Sequence, residues 1–387
     1  MTAWLLPEQF SDVLPGEASA IEQLRRTLLD ATAGYGYELV IPPLLEYVDS
    51  LLSGTGQDLD LQTFKLVDQL SGRTLGLRAD MTPQATRIDA HLLNRSGVVR
   101  LCYCGSVVRT HAQGVYATRE PQQFGAECYG HAGLEADLEV QQLAVRSLQL
   151  AGVARVTMTL SDVRIVRGVL AGMLAGPQQI NAMLEALSRK DEPRLRELLV
   201  AAAPAQRDAV LALTGLYGDV GVLDAAQRLL PQRPLIQEAL ADLAHLAATH
   251  ARAGVDVQID LGDLRGYNYH SGVIFGLYAD GNPDALARGG RYDEIGATFG
   301  RSRPATGFSL DLRELVRHAA PQLPRPAVRA VWSAQPGYAE AVRELRERGA
   351  TVIELPAGVA LEGQRFAFDR ELGCVGGRWL VRDLSSS

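Results

Sequence analysis

Polar side chains recur at strand spacing in this chain, and their types suit a small polar ligand. Along 121–129, PQQFGAECY, period-2 alternation turns Gln123, Gly125, Glu127 and Tyr129 to one face and Phe124, Ala126 and Cys128 to the other. An amide and a carboxylate with a glycine between them leave an open polar floor. Upstream, TLGLRAD puts Arg78, Asp80 and Thr82 on one strand face, and the loop GDLRGYNYH carries Arg265, Tyr269 and His270. Taken singly, each has a plainer role. Asp80 could only cap the helix that Pro83 opens, Glu127 or Arg265 could be a structural ion-pair partner, and His270 a satisfied core histidine.

These groups need elements to hold them. Two alternating runs, roughly 98–108 and 121–129, read as strands joined by a long polar segment from Arg109 to Arg119. Ile21, Leu24, Leu28, Leu29 and Ala33 fall at helical spacing within 17–36 and stop at GYGY. ELVIPPLLEYVD reads as a strand broken by Pro42 and Pro43, and FKLVD–SGR–TLGLRAD as a hairpin. EADLEVQQLAVRSLQLAG (135–152) is an amphipathic helix, followed by the strand VARVTMTLSD.

Residues 163–250 change character, rich in Ala and Leu and broken near Gly176-Pro177, Pro193, Pro204, Gly215–Gly221 and Pro231–Pro234. With no repeat period they read as a helical insertion of packing or docking character. Strands return at 255–280, ARGGRYDEI reads as a glycine turn, and PATGFSLDLRELVRH as strand and helix. The Pro-rich PQLPRP (321–326) marks a boundary before a small strand–helix–strand–hairpin unit at 327–387. The expected organisation is a core in two parts, 1–162 and 251–320, interrupted by the insertion at 163–250 and followed by the small C-terminal α/β domain.

Composition narrows the function. Hydrophobic content of 47% with 21% charged residues is that of a globular protein, and a net charge of −7 argues against a broad nucleic-acid surface. No basic segment precedes a long apolar run at the start, and no apolar stretch reaches about 18 residues, so a cytoplasmic protein is expected. Cys102, Cys104, Cys128 and Cys374 form no metal spacing; the first three read as small buried side chains under the polar floor. No metal or cofactor is expected.

The segment R109-THAQGVYAT-R119-EPQQFGAE is similar to the second signature of class II aminoacyl-tRNA synthetases, most of all that of histidyl-tRNA synthetase. LPEQFSDVLP with YGYELVIPPLLEYVD, LRADMTPQATR, LRGYNYHSGVIF and ARGGRYDEIGATFG agree in order and spacing, so the resemblance covers about residues 1–318. It implies an α+β fold: a class II synthetase-like antiparallel sheet flanked by helices. It also implies a homodimer through the early helix, strand and prolines, and a pocket for histidine. In that pocket Asp80, Thr82 and Gln123 would hold the ammonium, Arg109 and Arg265 would lie near the carboxylate, and Glu127 would meet the imidazole with Tyr269 or His270. Tyr269-His270 departs from the family's paired tyrosines.

Adenylate chemistry is where the synthetase resemblance breaks. His111 replaces the Glu of Arg-x-Glu, Ala117 takes the place of the second loop arginine, and in GFSLDLRE Asp311 replaces a glycine and Glu314 the third-motif arginine. A carboxylate for a cation beside triphosphate reverses the sign of an interaction worth several kcal/mol. Arg313 is one residue off, but a helix turns that residue's direction by about 100°. The tail is too short for an anticodon-binding domain. The chain therefore resembles the family's non-catalytic relatives, the regulatory subunits of ATP phosphoribosyltransferase. These join a short-form catalytic subunit in a hetero-oligomer for the first step of histidine biosynthesis and mediate feedback inhibition by histidine. On this reading no residue of the chain is catalytic. A divergent histidyl-tRNA synthetase is the alternative, and an RNA-binding accessory protein a third reading.

Overall fold

The computed structural model describes residues 5–52, 57–112, 114, 117–319, 324–359 and 366–384. The chain divides into two units, Met1–Ala319 and Ala320–Ser387. In the first, the strands are β1 Glu38–Leu39, β2 Leu45–Tyr47, β3 Lys65–Val67, β4 Thr74–Leu77, β5 Val99–Ser106 and β6 Gln122–Tyr129. They continue as β7 Val156–Asp162, β8 Tyr217–Gly218, β9 Asp256–Asp260, β10 Val273–Ala279, β11 Ala287–Arg291 and β12 Ala305–Asp311. Nine of them form one sheet in the order β1-β5-β6-β12-β11-β10-β7-β9-β8, antiparallel except at β1–β5 and β7–β9. The other three make the small sheet β2-β4-β3.

The alternation in β6 divides the large sheet into two chemically distinct faces. Phe124, Ala126 and Cys128 point into the main core, where the helices Pro15–Gly34 and Leu134–Leu150 bring Leu24, Leu28, Val140 and Leu143 against them. Cys102 joins the same core, Cys104 packs at its margin, and Cys374 is exposed. Burying such side chains stabilises the unit by roughly 1.5–3 kcal/mol for each large one. The opposite face carries the polar groups.

ARGGR is not a turn. It is the strand β11, in the interior of the nine-stranded sheet. Its glycines answer a packing demand: a Cβ on Gly289 would strike the carbonyl of Gly307 and lie 2.6 Å from the Phe275 ring, and one on Gly290 would lie 2.7 Å from the His270 ring. Close approach, and no left-handed backbone, selects glycine here.

Between β7 and β9 run the helices Val163–Leu170, Pro177–Ser188, Glu192–Leu198, Pro204–Leu213, Val222–Leu229 and Pro234–Arg252. The prolines read as breaks occupy first helical turns, at 177, 193, 204 and 234, where their missing N–H has no intrahelical partner to lose. In the last of these helices His250 is buried, with Nε2 2.8 Å from Gln141 Oε1. Burial lowers its pKa from 6.5 to about 4. The unfolded chain therefore binds a proton there that the folded chain refuses, so this contribution to stability is whole above pH 6.5 and is lost as pH falls towards 4. Urea midpoints of wild type and His250→Gln should converge as pH falls from 7 to 4.5. A constant gap over that range would exclude His250 as the cause.

The second unit holds β13 Arg325–Val331, β14 Val352–Leu355, β15 Phe366–Val375 and β16 Arg378–Asp383 in the order β14-β13-β15-β16, with the helix Tyr338–Glu347 between β13 and β14. The β15–β16 hairpin turns on Gly376 and Gly377, both at positive φ. Of the proline-rich boundary, residues 321–323 lie outside the described residues, and β13 starts at Arg325. No helix among the described residues is long and apolar enough to cross a membrane.

Candidate functional site

Register across the sheet builds the site. One lateral row on the polar face runs Tyr103, Gly125, Ser309, Arg288 and Gly276; the next runs Leu101, Glu127, Gly307, Gly290 and Ile274. Glycines stand beside the functional groups because side chains from elsewhere fill the space above them. A Cβ on Gly125 would enter the Tyr103 ring, and one on Gly307 would overlap the Glu127 carboxylate.

Glu127 is the deepest polar group, only 1% exposed, so the polar floor expected to be open is instead roofed over. Tyr103 Oη donates to its Oε1 at 2.8 Å and Tyr292 Oη to its Oε2 at 2.5 Å. Burial nevertheless pushes its pKa from 4.5 up to about 8, against the pull of those two hydroxyls. Tyr129, placed on this face by alternation, belongs to a separate apolar cluster, and its hydroxyl meets Thr86 Oγ1 at 3.2 Å.

β4 ends at Leu77, and the chain turns before the helix Thr82–Arg87. Arg78 consequently leaves the face it was expected to share with Asp80 and Thr82. Its guanidinium donates to the carbonyls of Pro42 at 2.6 Å and Ser106 at 2.9 Å, a structural role. Asp80 precedes the Met81 N-cap, meets the first residue of the helix and lines the pocket. Its Oδ1 accepts from Thr82 N and Oγ1 at 3.0 and 3.1 Å and from Gln123 Nε2 at 2.7 Å. Its Oδ2 accepts from no described residue. Gln123 Oε1 in turn accepts from Met81 N at 2.9 Å, and Thr82 Oγ1 lies 2.8 Å from Tyr103 Oη. One network thus runs from Gln123 through Asp80 and Thr82 to Glu127.

Tyr269 and His270 close this pocket from the loop after β9. Tyr269 packs on Tyr292 at 5.1 Å, and its buried hydroxyl has no hydrogen-bond partner among the described residues. Desolvation lowers the His270 pKa to about 4, so the ring is neutral near pH 7. Nδ1 lies 3.0 Å from Gly266 O and must donate there, which leaves Nε2 as an acceptor. Asp80, Thr82, Glu127, Tyr269 and His270 line a cavity of about 200 Å³ with Arg288, Gly290, Tyr292 and Ser309.

Arg265 is elsewhere. It forms a fork-like pair with Asp263, Nε to Oδ1 at 2.9 Å and Nη2 to Oδ2 at 2.5 Å, and donates to Tyr278 Oη at 2.7 Å. It lines neither this cavity nor its neighbour. A carboxylate two residues away on the same turn captured it, a competition that motif matching does not reveal. Tyr103, Tyr292 and Arg288 were not anticipated. The RGGRY motif held the signal for two of them, Arg288 and Tyr292, hidden when its glycine pair is taken for a turn.

The neighbouring cavity, about 190 Å³, is lined by Arg109, Gln123, Asp284, Arg288, Asp311 and Glu314, with Ala117 at its margin. Arg109 donates from Nε to Ala79 O at 3.2 Å, and burial lowers its pKa against the pull of Asp80 and Asp311. Asp311 accepts from the backbone N–H groups of Gln122 and Arg313, both at 3.0 Å, and Glu314 from Asn282 Nδ2 at 3.1 Å. Arg313 turns away to Glu120 O and Ser11 Oγ, and His111 is exposed. Three carboxylates therefore face two arginines where a triphosphate would need an excess of cations.

An antiparallel sheet with its amino-acid-sized pocket on one face defines a class II synthetase-like protein, and residues 9–315 match the family model described as histidyl-tRNA synthetase. The histidyl-tRNA synthetase of Nostoc shares the fold, with a TM-score of 0.78 at 20% identity over 99% of this chain and 97% of that one. The protein from Bacillus halodurans solved as an ATP phosphoribosyltransferase regulatory subunit/histidyl-tRNA synthetase matches with a TM-score of 0.81 at 27% identity, over 94% and 95% of the two chains. Residues 325–382 match the model of the ATP phosphoribosyltransferase subunit HisZ C-terminal domain, which assigns the short tail to a family of its own. The ATP phosphoribosyltransferase regulatory subunit of Ralstonia nicotianae is 55% identical over 387 residues, all of both chains. This chain belongs to the family of ATP phosphoribosyltransferase regulatory subunits.

Proposed function

We propose that this chain is the histidine-responsive, non-catalytic subunit of an ATP phosphoribosyltransferase, acting in the first step of histidine biosynthesis beside a short-form catalytic subunit. The observation that carries the reading is the contrast between the two cavities. A carboxylate network with an unfilled acceptor, a buried glutamate of raised pKa and an unpartnered tyrosine hydroxyl suit an amino acid with an imidazole. Next door, Asp311 and Glu314 oppose nucleotide phosphates. Histidine would favour one arrangement of the hetero-oligomer, a coupling of about 1–3 kcal/mol. Self-association through the segment from β1 past the prolines to β2 is supported by exposed apolar residues there, Leu39, Ile41, Leu44 and Leu45.

Adding the chain to its catalytic subunit is expected to raise phosphoribosyltransferase activity and to make it sensitive to histidine. Unchanged activity over a wide range of subunit ratios rejects the assignment. The divergent-synthetase alternative has its own assay, histidine-dependent exchange of pyrophosphate into ATP. No exchange above background is expected, and a robust signal lost in Arg109→Ala would restore catalysis.

A further inference from the structure

The pocket has a place for the ligand's ammonium and ring but, with Arg265 engaged elsewhere, no obvious group for its carboxylate. Arg288 meets that need. It stands on β11 in the row of Gly125, Ser309 and Gly276, on the sheet face that carries Glu127, and lines both cavities. Gly276 beside it and Gly125 two strands away, roughly 10 Å, carry no side chain of their own, and the Tyr278 and Tyr103 rings lie over them. Its guanidinium makes no hydrogen bond or ion pair with any described residue, although it is solvent-facing and Asp284, Asp311 and Glu314 line the second cavity with it. Arg109 is the other cation of that cavity, but it is half-buried, already donates to Ala79 O and faces the carboxylates of Asp80 and Asp311. Arg265 is committed to Asp263 and Tyr278.

We infer that Arg288 is the specificity-determining residue that receives the α-carboxylate of the amino-acid ligand, at the boundary of the two cavities. The inference rests on the pocket reading above and adds the selection it makes. Asp80 at one end and Arg288 at the other fix a zwitterion, so an amine with the same ring but no carboxylate loses one anchor. A free guanidinium at the mouth also has the fork geometry that matches a carboxylate.

The test uses the full-length chain with its catalytic subunit, titrated calorimetrically with L-histidine and with histamine. Wild type should bind histidine at least tenfold more tightly than histamine. Arg288→Gln should lose roughly 10–100-fold in histidine affinity, the effect of one charge-assisted pair, and close the gap between the two ligands. Arg288→Lys should restore part of the gap and Arg265→Gln should change histidine affinity less than threefold, with melting temperatures unaltered in both Arg288 variants. If Arg288→Gln keeps the wild-type discrimination, or Arg265→Gln abolishes it, the assignment is overturned while the pocket stands. If the wild-type complex binds no histidine, the pocket reading fails and takes the assignment with it.

Discussion

Glu127→Gln should leave a folded subunit that has lost roughly 100-fold or more of its histidine affinity. Tyr103 and Tyr292 donate to the two carboxylate oxygens at 2.8 and 2.5 Å; the amide oxygen can still accept from one of them while its NH2 donates to the hydroxyl oxygen of the other, so the local packing survives. What the amide cannot supply is a counter-charge for an imidazolium. Leaving one member of a buried ion pair alone costs about 3 kcal/mol or more, which sets the expected loss. Two pH effects follow from a pKa of about 8 in the empty pocket. Near pH 7 the side chain is protonated, and a neutral histidine ring that takes this proton forms the ion pair without net exchange with solvent. Below the ring's own pKa, about 6.5, the ligand arrives charged and binding should release a proton. Calorimetry in buffers of different ionisation enthalpy reads this directly.

The same shift carries a stability sign. The folded pKa lies above the unfolded value of 4.5, so this contribution is complete below pH 4.5 and disappears as pH rises through 8. Glu127→Gln should therefore gain on wild type between pH 5 and 9. Equal histidine affinity in the two proteins, or a pH-independent stability difference, would remove Glu127 from the ring-binding role.

Arg291→Met is the substitution expected to cost most in stability, about 3–5 kcal/mol. The guanidinium is held by Asp137, Nη2 to Oδ2 at 2.7 Å and Nε to Oδ2 at 3.0 Å, and donates to the carbonyls of His131 and Gly133 at 3.1 and 3.2 Å. Burial pushes the Asp137 carboxyl upward despite that partner, so removing the partner leaves a charge that the interior does not tolerate. The pair also ties the helix Leu134–Leu150 to the end of β11, between Gly290 and Tyr292, both of which line the ligand cavity. Histidine affinity should fall with stability. Asp137→Asn in the Arg291→Met background should recover part of the loss, since it removes the stranded carboxylate. Urea denaturation of the four proteins in the cycle measures the coupling. A single-mutant cost under 0.5 kcal/mol, the scale of an exposed pair such as Arg26–Glu22, would show that the buried pair is dispensable.

Much of the site was legible because strand alternation is a local property. Once Phe124, Ala126 and Cys128 are assigned to the core, Gln123 and Glu127 can only face the other way, and the sheet obeys. The loss of cations at Ala117 and Glu314 and the carboxylate gained at Asp311 were equally plain once the family resemblance fixed which positions to compare. Alternation misled where a strand ended early: β4 stops at Leu77, and Arg78 turns under Pro42 and Ser106 instead of joining Asp80. Gly289 and Gly290 misled for the opposite reason. A glycine pair signals a turn when only neighbours in sequence are known, but here the demand comes from Phe275, Gly307 and His270, brought close by pairing across the sheet.

Residue types and their order were enough to establish the family, the separation of apolar and polar sheet faces, and the reversed charge where a nucleotide would sit. Only the folded chain decided which arginine is free. Arg265 and Arg288 are chemically identical in sequence. Asp263 neutralises the first within one turn of loop, whereas sheet register isolates the second among glycines and a serine. A side chain's availability depends on what lies within a few ångströms of it, and most of those neighbours are distant along the chain.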